Sequence, residues 1–254
     1  MNDEFVQQYD LFETSMPKFK IDKPIRLIEL FAGIGSQYAS LKRLGADVTS
    51  WKCIEWDKYA IASFNAVHGT NYETTDITKI HASDLEIVDA DKYCYIMTYS
   101  FPCQDLSSAG KRKGMQKGSG TRSGLLWEVE RLLDECVEYN GNLPNCLLME
   151  NVPNVIGKNN IDSFVEWRRK LESLGYQNYV QILNSKNYGI PQNRARAFMV
   201  SVLGEYHYSF PQKQKLKLKL KDMLEKDVDE KYYISDDLVD KYLQQEVTPF
   251  EKNI

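Results

Sequence analysis

Ile25-Arg26-Leu27-Ile28-Glu29-Leu30-Phe31-Ala32-Gly33-Ile34-Gly35-Ser36 is the stretch that decides the architecture. Its first seven residues are mostly apolar and β-prone, and they read as a strand. Ala32 to Ser36 carries two glycines and reads as a tight turn. Gln37 to Leu44 has Tyr38, Leu41 and Leu44 at helical spacing, and Gly45 ends the run. A strand, a glycine turn and a helix in that order open a nucleotide-binding α/β fold. The glycines let a ligand approach the backbone, and the helix start offers unpaired N–H groups. Gly33 and Gly35 are therefore candidate cofactor residues, although any tight strand-to-helix turn can produce a bare Gly-x-Gly.

Downstream, Val48 to Ile54 reads as a second strand that ends in Glu55-Trp56-Asp57. Glu55 lies about 20 residues past the glycines, where a carboxylate can grip ribose hydroxyls. The bland alternative is that it belongs to the capping region of a helix over 58–67. Trp56 could face a purine ring. Asp76, before Ile77, falls at another expected strand end, where a carboxylate could accept a proton from an adenine amine.

Tyr93 to Ser108 begins as an apolar strand and ends at Ser100-Phe101-Pro102, which delivers Cys103 to the rim of the sheet. Ligands bind outside the carboxyl ends of such strands. Pro102 fixes its own φ and stiffens the approach to the thiol. A free cysteine is more often a small buried hydrophobe, so Cys103 taken alone does not make a nucleophile. The segment 109–122 follows, with four glycines, five basic residues and no acid. Lys111, Arg112, Lys113, Lys117 and Arg122 make it a candidate phosphate-contacting loop, against the alternative of a solvated surface loop. Residues 124–139 read as an amphipathic helix. Cys146 to Met149 reads as a buried strand, followed by Glu150-Asn151-Val152-Pro153; polar groups there are costly unless used or hydrogen-bonded. A helix over 164–174, a strand over 176–183 and a strand over 197–203 complete the pattern. Arg194 and Arg196, at alternate positions, share one face if their segment is extended.

The 254 residues carry a net charge of −4, so nucleic-acid contact would need local basic patches. Five cysteines without a Cys-x-x-Cys pair argue against a disulfide framework or a zinc cluster, and no metal is expected. His68, His81 and His207 are isolated and read as structural or surface residues. No apolar run approaches the roughly 20 residues of a membrane span. The acidic N-terminus lacks a signal-peptide layout, so the expected location is the cytoplasm. The expected division is a polar lead over 1–23, which could pack or stay mobile, a domain over 24–211, and a lysine-rich connector or docking segment over 212–254.

Phe31-Ala32-Gly33-Ile34-Gly35, Glu55-Trp56-Asp57, Pro102-Cys103-Gln104, Glu150-Asn151-Val152 and Gln192-Asn193-Arg194-Ala195-Arg196 occur in that order. The chain thereby closely resembles the DNA (cytosine-5) methyltransferases, over roughly residues 24–203. The resemblance implies a class I methyltransferase domain, with a mixed, mostly parallel sheet and helices on both faces. It implies S-adenosylmethionine as cofactor, held by Phe31, Gly33, Gly35, Glu55, Trp56, Asp76, Ile77, Pro102 and Leu125. It implies catalysis by Cys103, Glu150, Arg194 and Arg196 on a cytosine flipped from double-stranded DNA, in a bacterial or phage setting. No counterpart of the family's target-recognition region or of its last two motifs is found. The expected explanation is a second polypeptide carrying recognition; a decayed enzyme and a compact alternative stay open. So do a non-catalytic DNA- or cofactor-binding regulator and an RNA cytosine methyltransferase. A dinucleotide oxidoreductase would leave Pro-Cys-Gln and Arg-x-Arg unexplained.

Overall fold

The computed structural model describes residues 16–106 and 114–243. Six strands form one sheet: β1 (Ile25–Leu30), β2 (Val48–Ile54), β3 (Cys94–Tyr99), β4 (Cys146–Asn151), β5 (Tyr176–Asn184) and β6 (Ala195–Leu203). Their order is β2-β1-β3-β4-β6-β5. The first four are parallel, and β6 runs antiparallel to both β4 and β5. The sheet is the mixed, mostly parallel one that the family resemblance implies.

Strand composition explains the burial. Along β3, Cys94 and Ile96 face one core while Tyr95, Met97 and Tyr99 face another. Along β1, Ile25 and Leu27 oppose Ile28 and Leu30 in the same way. Strands covered on both faces need apolar residues at nearly every position. Helix α1 (Ser36–Arg43) covers the first face through Tyr38 and Leu41. Helices α4 (Leu126–Tyr139) and α5 (Ile161–Ser173) cover the second with Leu132, Leu133, Phe164 and Trp167. Helix α2 (Lys58–His68) starts at Asp57, whose side chain accepts from the N–H groups of Tyr59 and Ala60. Two short elements were not legible: α3 (Ala82–Leu85), and α6 (Asp236–Leu243) in an exposed tail.

The chain leaves β1 for β2 on one side and returns to β3 on the other. The strand order therefore reverses beside β1, and the carboxyl ends of β1, β2 and β3 open a crevice there. The described part of the N-terminal lead packs: Phe19 donates its N–H to His207 O at 3.1 Å and meets Tyr206 edge-on.

Arg26 stacks between Trp51 and Tyr93, at 3.8 and 3.6 Å from their centroids, and donates to the buried Tyr95 hydroxyl at 2.7 Å. One guanidinium thus meets two aromatic faces and a buried hydroxyl that also accepts from Val88 N. Arg26→Ala should lower unfolding free energy by about 2 kcal/mol in urea titration. A change below about 0.5 kcal/mol would show that the stack contributes nothing.

Candidate active site

The crevice at the strand ends is a cleft of about 350 Å³, within the range of small-molecule sites. Phe31, Glu55, Trp56, Asp76, Ile77, Pro102 and Leu125 line it, together with Arg122 and Gln104. Phe31, just past β1, holds a left-handed backbone with φ of 58°. That conformation costs a non-glycine residue about 1–3 kcal/mol and concentrates at ligand sites. Glu55 follows β2, and its carboxylate accepts from the N–H groups of Gly33 and Asp57, both at 2.9 Å. Asp57 is the residue that caps α2, which leaves Glu55 turned to the cleft. Trp56 is 71% exposed, so its ring is open for stacking.

Gly33 and Gly35 do not line the cleft themselves. Gly33 reaches it through Glu55. Gly35 has φ of 77°, and a Cβ there would lie 2.4 Å from His68 Nε2. His68 in turn contacts Ile34 O at 3.0 Å, so this histidine braces the glycine turn. Asp76 departs from expectation, because it ends no strand. It caps a 3-10 turn over Ile77–Lys79, with its side chain accepting from the N–H and hydroxyl of Thr78. Those two donors hold its carboxyl below the usual range. The polar run 71–75 before it has no alternation to form a strand.

The Cys103 turn leaves β3 and is tied down carbonyl by carbonyl. Asn151 Nδ2 donates to Phe101 O at 3.0 Å. Ser123 Oγ donates to Pro102 O at 2.7 Å. Leu106 N donates to Cys103 O at 3.0 Å, and the Asn154 amide donates to Leu106 O. Cys103 stays partly exposed, whereas the other four cysteines are buried. Burial pushes the thiols of Cys53, Cys136 and Cys146 up to about 12, out of the range of useful nucleophiles. Glu150 sits on β4 and meets Arg196 Nε at 3.0 Å. Strands β3 and β4 pair Tyr99 with Met149, so the Cys103 turn and Glu150 emerge side by side. Arg194, just before β6, is exposed, and its N–H donates to Asn184 Oδ1 at 3.2 Å.

The basic segment divides. Lys111, Arg112 and Lys113 lie outside the described residues. Lys117 pairs with Glu130 at 2.6 Å and lies over the Trp127 ring, with its side chain more than half exposed. Arg122 lines the cleft and donates to Gln104 Oε1 at 2.8 Å, because the 3-10 turn Arg122–Leu125 packs against the Cys103 turn. Asn151, Ser123 and Asn154 were missed as positioning residues. Only the polar pair after a buried strand hinted at Asn151.

With that geometry in hand, the comparisons are specific. Residues 25–253 match the family model of C-5 cytosine-specific DNA methylases. The chain belongs to that family. It is 42% identical over 204 residues to the orphan methyltransferase M.SssI of Spiroplasma monobiae, covering 80% of this chain and 49% of that protein. It is 32% identical over 236 residues to the type II methyltransferase M.Bsp6I of a Bacillus species, covering 89% and 70%. The chain spans about half the length of several of the curated methyltransferases it matches. The fold matches that of the S. pombe Dnmt2 methyltransferase, with a TM-score of 0.67 at 24% identity, covering 88% of this chain and 67% of that one. No helix among the described residues is long and apolar enough to cross a membrane.

Behind the glycine turn, Glu29 is fully buried in β1. One carboxyl oxygen accepts from Tyr38 N at 3.2 Å, and the other has no hydrogen-bond partner among the described residues. Burial pushes this carboxyl up to about 7, against the lowering effect of the Tyr38 N–H. An unfolded chain releases this proton near 4.5, whereas the folded one holds it to about 7. Stability from this group is therefore lost as pH rises from 4.5 to 7. Glu29→Gln should remove that slope and raise unfolding free energy at pH 8 by roughly 2–3 kcal/mol. Equal pH profiles for the two proteins would contradict the assignment.

Proposed function

We propose that this chain transfers a methyl group from S-adenosylmethionine to C5 of a cytosine in double-stranded DNA, through a covalent adduct of Cys103. The observation that carries the reading is the Cys103 turn, flanked by cleft residues Pro102 and Gln104 and pinned by Asn151 of the strand whose Glu150 meets Arg196.

The cleft residues fit the cofactor. Phe31, Ile77, Pro102 and Leu125 offer apolar surface to a purine, and exposed Trp56 offers a stacking face. The Glu55 carboxylate, fixed by two N–H donors, keeps lone pairs for ribose hydroxyls. Asp76 accepts from the adenine amine. The cofactor supplies an electrophilic methyl group.

Cytosine C5 is a poor nucleophile. Attack of the Cys103 thiolate on C6 forms an S–C6 bond and makes C5 enamine-like, able to accept the methyl group. A base, supplied by water, then takes the C5 proton; the freed electron pair restores the C5–C6 double bond, and the S–C6 bond breaks to release the thiolate. Glu150 holds N3 and the exocyclic amine, as a protonated acid or by sharing a proton with N3, and Arg196 orients its carboxyl. Arg194 stabilises charge beside the ring. The base reaches the thiol by leaving the helix. Lys111, Arg112 and Lys113 contact the DNA backbone, and Arg122 joins them from the cleft side. For target recognition we assign a second polypeptide that meets the segment from 212 onward. Exposed Leu216, Leu218, Met223 and Leu224 support that role.

Transfer of labelled methyl groups to mixed-sequence DNA, by the chain alone and with extract of its native host, tests the reading. Cys103→Ala should lower transfer by at least about a thousandfold while S-adenosylhomocysteine affinity stays within about twofold. Loss of both together would make Cys103 structural. Transfer by the chain alone would remove the need for a second polypeptide. Cofactor binding without transfer under either condition would favour a regulatory binder.

A further inference from the structure

Asp76 and Ile77 form one wall of the cleft, yet they sit on no strand. They belong to a 3-10 turn joined to the single-turn helix α3. A wall built of such short elements needs support from elsewhere. The support comes from Arg131, in the middle of α4. Its Nη2 donates to Ile77 O at 2.9 Å, and its Nη1 donates to Ile80 O at 3.0 Å. Glu128 accepts from its Nε at 2.7 Å, and Glu135 accepts from its Nη1 at 2.5 Å. Glu135 also accepts from Ala82 N at 3.0 Å and lies 3.3 Å from His81 Nδ1. Burial raises the Glu135 carboxyl, but Arg131 and the Ala82 N–H outweigh it and hold it below its ordinary value.

We propose that Arg131 is a positioning residue for cofactor recognition: it fixes the Asp76–Ile77 segment to α4, whose leading turn supplies the cleft residues Arg122 and Leu125. The 3-10 turn leading into α4 presents Leu125 and Arg122 to the cleft, and its Ser123 holds the Pro102 carbonyl. One rigid unit thus sets the Cys103 turn and these cleft residues. A planar fork with five donors can serve two carbonyls and two carboxylates at once; a lysine ammonium cannot. The inference rests on the cofactor reading above and adds a residue that does not touch the ligand.

The test uses S-adenosylhomocysteine binding by calorimetry, with urea denaturation and amide hydrogen exchange of the unliganded protein. Arg131→Gln should weaken binding about tenfold and speed exchange across residues 77–85. The β3 and β4 amides should keep their protection, and the urea midpoint should change little. Arg131→Lys should recover part of the affinity; if the glutamine variant does not fold, this variant carries the same test. Unchanged affinity in a folded variant would overturn the proposal alone, as would faster exchange spread over the whole sheet. Wild-type protein that binds no S-adenosylhomocysteine would overturn the cofactor reading, and the proposal with it.

Discussion

The hydrogen bond from the Asn151 amide to the Phe101 carbonyl is the constraint on which the site depends. It spans fifty positions of sequence and joins the ends of two neighbouring parallel strands. Parallel pairing brings those ends to the same edge of the sheet, but it does not set the path of the chain beyond them. Each carbonyl of a turn leaving a buried strand needs a donor, or its burial costs free energy. Asn151, Ser123 and Asn154 supply those donors, so the turn has a fixed course and leaves Cys103 facing outward. The same strand that supplies Asn151 supplies Glu150, one residue earlier and directed toward Arg196. Adjacent residues on one strand point to opposite faces. One of this pair therefore holds the Cys103 turn while the other meets Arg196.

The same division of labour recurs at β2. Glu55 and Asp57 are two acids two residues apart, and sequence alone leaves their roles interchangeable. The structure separates them: Asp57 caps α2, and Glu55 bridges Gly33 to the cleft. Preorganised carboxylates of this kind meet a ligand with little reorganisation cost. The cost is carried elsewhere, in the left-handed backbone of Phe31 and in the buried, half-partnered carboxyl of Glu29.

Much of this was legible in the chain. The apolar runs of β1, β3 and β4 are nearly continuous because helices cover both faces, so strand identity survives without alternation. Glu55 and Trp56 were readable as cleft residues because they lie just beyond a strand end, whereas Phe31, Pro102 and Leu125 came from the resemblance; all five line the cleft. What the sequence did not report has a common physical origin. Asp76 was placed at a strand end, yet that segment is held by Arg131 from a helix more than fifty residues away. Lys117 and Arg122 looked like loop cations, and their partners, Glu130 and Gln104, are tertiary neighbours that local composition does not report. Periodicity records what an element buries; it is silent on which distant side chain satisfies a bare carbonyl.

The account makes Cys103 the nucleophile of a covalent intermediate, and direct capture tests this. DNA carrying 5-fluorocytosine lacks the C5 proton whose removal would release the enzyme, so an attacking thiolate stays bonded to C6. The measurement is peptide mass spectrometry after incubation with S-adenosylmethionine, and with the native-host extract where that is required. The account predicts one DNA-linked peptide, the one containing Cys103, and none from Cys103→Ser. Attachment at any other residue, or methylation of ordinary DNA with no capture on the fluorinated one, would contradict it.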